Sequence, residues 1–247
     1  MSAGKKKTLS QNPLGYFVSS MLAGIHVGFA VILLVTIGGV MAGNGAARVV
    51  MGVSFGIALS LVMLAGSDLF TGSNLVMASG YLSGNVGWRD VLRVWVVCHI
   101  GNWAGSILLA VIYRGTGLAS GVVGDFIISS VSAKMGYPPL QLITKGILCN
   151  MLVCLGVWCG YRCKSESGKL IMIFWCVYAF ITSGFEHSVA NMTMLTIGML
   201  MSHGESISAA GYFYNIFLVT AGNIIGGVLF VAAPYFIIAG RKPSQTA

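Results

Sequence analysis

The chain has 247 residues, 56% of them hydrophobic and only 8% charged, with a mean hydropathy of +0.87 and a formal net charge of +8. That composition excludes an ordinary water-soluble domain, and the length suits about six spans of roughly 20 residues. The charge does not point to nucleic acid, because apart from Lys5-Lys6-Lys7 the basic residues sit singly or in small groups beside apolar segments.

In chain order, a short head (residues 1–12) precedes an apolar segment near Tyr16–Met41, too long for a signal-peptide core and read as a retained span. Five further spans are expected at Val49–Gly84, Val91–Tyr113, Leu140–Tyr161, Leu170–Met201 and Ala209–Ile238, followed by a tail over residues 239–247. The connections carry chain breakers: Gly43-Asn44-Gly45, Gly115-Thr116-Gly117, Pro138-Pro139 and Ser165-Glu166-Ser167-Gly168. We read the whole chain, 1–247, as one transmembrane channel domain of all-α class.

Two spans are interrupted by polar, helix-breaking residues: Leu69-Phe70-Thr71-Gly72-Ser73-Asn74 in the second and Gly184-Phe185-Glu186-His187-Ser188-Val189-Ala190-Asn191 in the fifth. Ionisable residues at bilayer depth are costly and mark function. Non-helical backbone is tolerated there only where protein or an aqueous cavity surrounds it. One break per half is the layout of a substrate pathway near the midplane.

The halves echo each other further. Gly101-Asn102-Trp103-Ala104-Gly105 in the third span matches Gly222-Asn223-Ile224-Ile225-Gly226 in the sixth. Met21-Leu22 and Met151-Leu152 each precede a small-xxx-small pair, Gly24/Gly28 and Gly156/Gly160. Three spans per copy is odd, so the second copy must be inverted, giving a 3+3 repeat with its site between the copies. These glycine pairs, with Gly52/Gly56, are expected to pack helices within the protomer.

With the N-terminus inside, Lys5, Lys6, Lys7, Arg89, Arg93, Arg162, Lys164, Lys169, Arg241 and Lys242 lie on the inner side. Arg48, Arg114, Lys134 and Lys145 lie on the outer side. This positive-inside bias puts both termini in the cytoplasm of a multi-pass inner-membrane protein embedded in the lipid bilayer.

The six cysteines form no C-x-x-C pair and no metal-ligand spacing occurs, so no metal site or cofactor is expected and the thiols read as small buried hydrophobes. No catalytic carboxylate pair or C-x-x-C-H motif supports a haem-binding membrane enzyme, and the paired Asn-Pro-Ala loops and filter arginine of an aquaporin are missing. His26 and His99 read as packed polar residues and His203 as an exposed loop residue.

His187, the one histidine within a break, can meet an anion as a donor or protonate it. Either lowers the cost of bare charge in hydrocarbon. Thr71 offers a hydroxyl and could also cap the half-helix that begins there. A carboxylate would repel an anion, so Glu186 is expected to turn from the pore and accept loop amides, with Asn191 orienting His187. Asn102 and Asn223 are expected to hydrogen-bond the breaks from behind. Lys134 reads as a loop lysine ahead of Pro138-Pro139, and Lys145 as an interfacial snorkelling lysine.

Asn12-Pro13-Leu14-Gly15, Gly66-Ser67-Asp68-Leu69-Phe70-Thr71-Gly72, Cys149-Asn150-Met151-Leu152-Val153-Cys154-Leu155 and Ser183-Gly184-Phe185-Glu186-His187-Ser188-Val189-Ala190-Asn191-Met192-Thr193 together resemble the formate/nitrite transporter family, over roughly Asn12 to Ile238. The Asn-Pro-Leu-Gly start, the Leu-Phe-Thr-Gly break and the Ala-Asn-Met-Thr exit are most similar to its nitrite channel branch. The resemblance implies a homopentamer of six-span, aquaporin-like protomers, each with its own pore. The cargo it implies is a small monovalent anion of a weak acid, nitrite foremost, formate or hydrosulfide otherwise, with protons as a further partner.

By the same resemblance His187 is the pore-facing central histidine, Thr71 faces it, and Lys134 is a vestibule lysine that attracts anions. Phe55, Leu59, Leu69, Phe70, Val153, Phe180 and Ala190 match apolar constriction positions, which can gate by dewetting. Members carry a longer amphipathic segment before the first span than the short head found here.

Overall fold

In the computed structural model, Asn12 ends one helix and starts the next. Its side chain accepts the Gly15 amide and Pro13 takes the first helical position, where a missing N–H costs nothing. The structure describes residues 1–201, 204 and 206–240. His203, Arg241 and Lys242 therefore lie outside the described residues.

Twelve α-helices are described, with no strand among the described residues. They are α1 (Ser2–Gln11), α2 (Pro13–Val40), α3 (Ala47–Ser54), α4 (Ile57–Leu61), α5 (Phe70–Leu82), α6 (Trp88–Gly115), α7 (Gly121–Gly136), α8 (Pro139–Arg162), α9 (Glu166–Ser183), α10 (Ser188–Met199), α11 (Ala209–Gly227) and α12 (Ala233–Ala239). π-helical turns over Val62–Gly66 and Val228–Ala232 follow α4 and α11. Five helical stretches are long and apolar enough to cross a membrane, six when the bent pair α9 and α10 is taken as one span. Large apolar side chains such as Phe29, Ile112, Phe217 and Leu229 stand exposed on the outside, as expected of a surface that faces lipid or another subunit.

The inverted repeat is visible in the packing. Helix α2 lies along α6 in the first half, and α8 along α11 in the second. Both contacts are glycine-mediated: a Cβ on Gly105 would lie 1.9 Å from the Met21 carbonyl oxygen, and one on Gly222 would lie 2.3 Å from that of Ile143. Backbones this close leave room for no side chain. Gly24, Gly28, Gly52 and Gly156 likewise face neighbours of their own chain.

Three sequence expectations change. The short head is a ten-residue helix, α1, which buries Ser2 and Leu9 against the body. Lys134 sits in the last turn of the helix α7, not in a loop. The breaks are also shorter than the polar runs that signal them. The non-helical backbone covers residues 67–69, which follow a π-turn ending at left-handed Gly66, and residues 184–187, and Thr71, Ser73, Asn74 and Asn191 are already helical. These helical polar residues are buried and bond across the fold, Thr71 to His187, Asn74 to Asn150 and Asn191 to Glu186 and Asn215.

Candidate functional site

Each break has the same spelling: a left-handed glycine, one residue, a carboxylate, and a cap residue from which a half-helix starts. Gly66-Ser67-Asp68-Leu69 precedes α5, and Gly184-Phe185-Glu186-His187 precedes α10. Both glycines have φ of +78°. Gly184 ends α9 with its amide on the Ile181 and Phe180 carbonyls, and the chain re-enters as α10 at a 52° bend. Helices α5 and α10 are buried along almost their whole length, and their N-termini turn positive dipole ends toward the break region.

Asn102 and Asn223 brace the breaks from behind, as expected, and in the same way. The Asn102 Oδ1 accepts the Phe70 amide at 2.8 Å, while its Nδ2 donates to the Ser20 and Asp68 carbonyls at 2.7 and 2.9 Å. The Asn223 Oδ1 accepts the Ser188 amide at 3.0 Å, and its Nδ2 donates to the Gly146 and Glu186 carbonyls at 2.8 and 3.0 Å. Asn150, which sequence reasoning gave no role, ties the halves together. Its Nδ2 reaches the Asn223 carbonyl at 2.6 Å, the Asn74 Oδ1 at 3.0 Å and the Thr71 carbonyl at 3.4 Å.

His187 is 5% exposed and caps α10: its Nδ1 accepts the Ala190 amide at 3.1 Å. The ring proton therefore belongs on Nε2, which lies 3.0 Å from Thr71 Oγ1. Thr71 faces His187 but does not cap α5, whose cap residue is Leu69. Phe180 stacks on the imidazole at 5.9 Å and meets Phe55 edge-on at 6.0 Å.

Two expectations about the neighbours are corrected. Glu186, 3% exposed, takes no loop amides. Both its oxygens accept from Lys134 Nζ at 2.7 Å, and Asn191 Nδ2 donates to it at 2.6 Å. The Asn191 side chain does not bond the His187 ring, although its backbone amide donates to the His187 carbonyl at 2.9 Å; its Nδ2 bridges Glu186 and Asn215 Oδ1, the latter 2.8 Å away. Asn215 in turn donates to the Lys134 carbonyl, closing a buried network. A buried carboxylate needs a paired charge and further hydrogen bonds on its remaining lone pairs, which Lys134 and Asn191 supply.

A cavity of about 440 Å³ opens beside this network, lined by Arg48, Phe55, Lys134, Lys145, Phe180, Glu186, His187, Ala190 and Asn191 among others. Lys145 therefore reaches a cavity, its Nζ 3.5 Å above the Tyr137 ring. Behind Phe55 and Phe180 lies a void of about 10 Å³ lined by Leu59, Leu69, Val153 and His187 among others, at the lower limit for one water. Phe55 and Phe180 thus separate the cavity from the void, Ala190 lines the cavity, and Leu59, Leu69 and Val153 lie beyond. Phe70 does not join this collar. As the first residue of α5 its side chain turns to α6, with ring contacts to Trp95 at 6.4 Å and His99 at 4.5 Å.

The opposite break has its own ion pair, which sequence reasoning missed. Lys5 of α1 pairs with Asp68, to which Ser19 Oγ also donates at 3.5 Å. Burial draws the Lys5 pKa down from the ordinary value of 10.5. Lys5–Asp68 and Lys134–Glu186 occupy equivalent places, each lysine on the helix that precedes its repeat's first span. The signal was in the sequence, in the shared Gly-x-acid spelling of the two breaks. Nearby, His26 Nδ1 lies 3.1 Å from Ser67 Oγ, and His99 Nδ1 is buried without a partner. Among the described residues no cluster of histidine, cysteine or acidic side chains is arranged to hold a metal.

Two half-helices meeting at buried breaks inside an inverted repeat define a membrane transport protein, and the comparisons give the family. The Formate/nitrite transporter model matches residues 1–237, and the chain belongs to that family. The chain is 39% identical over 228 residues to the nitrite transporter NirC of Escherichia coli (strain K12), covering 92% of this chain and 84% of that one. A solved structure described as an FNT family ion channel superposes with a TM-score of 0.92 at 36% identity, over 96% of this chain and 95% of that chain. A pentameric formate channel with formate bound gives 0.83 at 30% identity, over 91% and 96%. These relatives are transporters and channels, so the chain is a membrane anion transport protein and not an enzyme.

Proposed function

We propose that this protein conducts nitrite across the membrane through a pore within each protomer of a homopentamer, from the Lys134 cavity past His187 to the Lys5–Asp68 end. The observation that carries the reading is the Nε2–H of His187 paired with the Thr71 hydroxyl between apolar constrictions. It is supported by the similarity to a nitrite transporter. An anion there loses water and gains two donors in a low-dielectric setting, where each bond is stronger than in solution. The positive ends of α5 and α10 add to the attraction.

The histidine acts as a neutral donor. The Ala190 amide occupies Nδ1, so an imidazolium would first have to give up that bond. Proton delivery to the anion from this ring would require the same rearrangement. Formate is the second reading, favoured by the likeness to a formate-bound pentameric channel. The termini face the cytoplasm, supported by the positive-inside bias.

Purified protein in proteoliposomes, assayed for nitrite, formate and hydrosulfide flux at two pH values, tests this. Nitrite flux well above that of protein-free vesicles is expected. Formate flux with none for nitrite would replace the first reading with the second, and no flux of any of the three anions would end both.

A further inference from the structure

The sequence reads all six cysteines as small buried hydrophobes, and the structure sets two of them apart. Cys98, Cys149, Cys154 and Cys176 are buried, whereas Cys159 and Cys163 are half-buried and line one cavity of about 510 Å³ at the C-terminal end of α8. The Cys163 amide donates to the Cys159 carbonyl at 2.8 Å, so the two stand one helical turn apart. That spacing puts both side chains on the same face, with about 5–6 Å between Cβ atoms. Met172 of α9 brings a third sulfur to the cavity. Arg162 and the stacked rings of Trp158 and Tyr235, 4.5 Å apart, complete its lining.

Two thiols and a thioether converge here with no imidazole or carboxylate in the lining. Soft sulfur donors of this kind select Cu(I) over hard divalent cations. Structural zinc takes four thiolate, imidazole or carboxylate ligands, and no three histidine, cysteine or acidic side chains among the described residues are arranged to supply them.

We infer that Cys159, Cys163 and Met172 form a site for a soft monovalent metal ion, Cu(I) or its analogue Ag(I), which clips α8 to α9. On binding, two S–H bonds break, two metal–thiolate bonds form and two protons pass to water. The resulting complex carries one net negative charge. Arg162 lies in the same cavity to offset it, its guanidinium 6.0 Å from the centre of the Trp158 ring and without a carboxylate partner among the described residues. The site lies on the side proposed above as cytoplasmic, where thiols stay reduced. It is independent of the anion that passes through the pore.

The test uses the full chain, purified in detergent under reducing conditions and titrated into Cu(I) bicinchoninate, whose absorbance reports metal withdrawn from the chelator. Wild type should withdraw a single Cu(I) per chain, less so as the pH falls, because protons compete for the thiolates. Excess Zn(II) should not displace it. Cys159→Ser/Cys163→Ser should withdraw none, although the four buried thiols remain. Met172→Leu keeps the volume and should weaken retention at least about tenfold, the lower bound set by residues that only support a metal site. A second measurement covers a double variant that fails to insert: Ag(I) bound to wild type should protect Cys159 and Cys163 from maleimide, as mapped by mass spectrometry. Cu(I) left with the chelator by wild type, uptake undiminished in the double variant, or labelling indifferent to Ag(I) would each overturn the site. None of these outcomes touches the channel reading, which anion flux tests separately.

Discussion

At the scale of single residues, the central question is whether His187 titrates or only donates. The Ala190 amide on Nδ1 gives it one proton, on Nε2, directed at Thr71. His187→Gln keeps an N–H donor, so nitrite flux should stay within about tenfold, the equivalent of ~1.4 kcal/mol. The pH profile should keep its wild-type shape. His187→Phe should abolish flux. A Gln variant whose pH dependence is lost would show that the ring itself carries the proton.

Lys134 and Glu186 make a second residue-scale case. Removing the lysine strands a carboxylate that is almost fully enclosed, and breaking such a pair costs about 3–5 kcal/mol. Lys134→Met should therefore lower the thermal unfolding midpoint sharply in detergent. Lys134→Met/Glu186→Gln should recover most of the loss, since a neutral amide can still bond Asn191. A double variant no more stable than the single one would refute the pairing as the cause.

At the scale of elements, the breaks are held by a few backbone conformations and two asparagines. Gly184 at φ +78° turns the chain between α9 and α10, and a left-handed non-glycine residue costs roughly 1–2 kcal/mol. Gly184→Ala should lower stability by about that much, and Gly66→Ala should do the same at the other break, read from unfolding midpoints. Asn223→Ala removes three buried hydrogen bonds, each stranded partner costing about 1–3 kcal/mol, and should be more damaging than either glycine change.

Element boundaries were only partly legible. The polar runs marked both breaks, yet they ran on into the following half-helices and the first began two residues late, because polar residues within α5 and α10 also bond across the fold. Helix α7 was hidden by its glycines at both ends and by the serines within it, and became visible only where it packs on α2. Helix α1 is polar overall and is held through Ser2, Leu9 and the Lys5–Asp68 pair.

At the scale of the whole molecule, the exposed apolar exterior must be covered by lipid or by other subunits. A pentamer is expected by likeness to the pentameric formate channel. Native mass measurement in detergent should give five copies, and a tetramer or a monomer would count against this.

Sequence alone determined the membrane class, the number of spans, the inverted repeat and the family, because hydropathy, the twin breaks and the paired Gly-Asn motifs are local patterns that need no partner to be read. It also picked out His187, Thr71, Asn102 and Asn223. Tertiary structure decided which side chains bond: Glu186 with Lys134 rather than loop amides, the Asn191 side chain with Glu186 and Asn215 rather than the His187 ring, Lys5 with Asp68. It also turned Phe70 away from the constriction and brought Lys145 and Arg48 into one cavity. These contacts join residues far apart in the chain. Buried charges take whichever partner the packing brings near, and no local pattern encodes that choice.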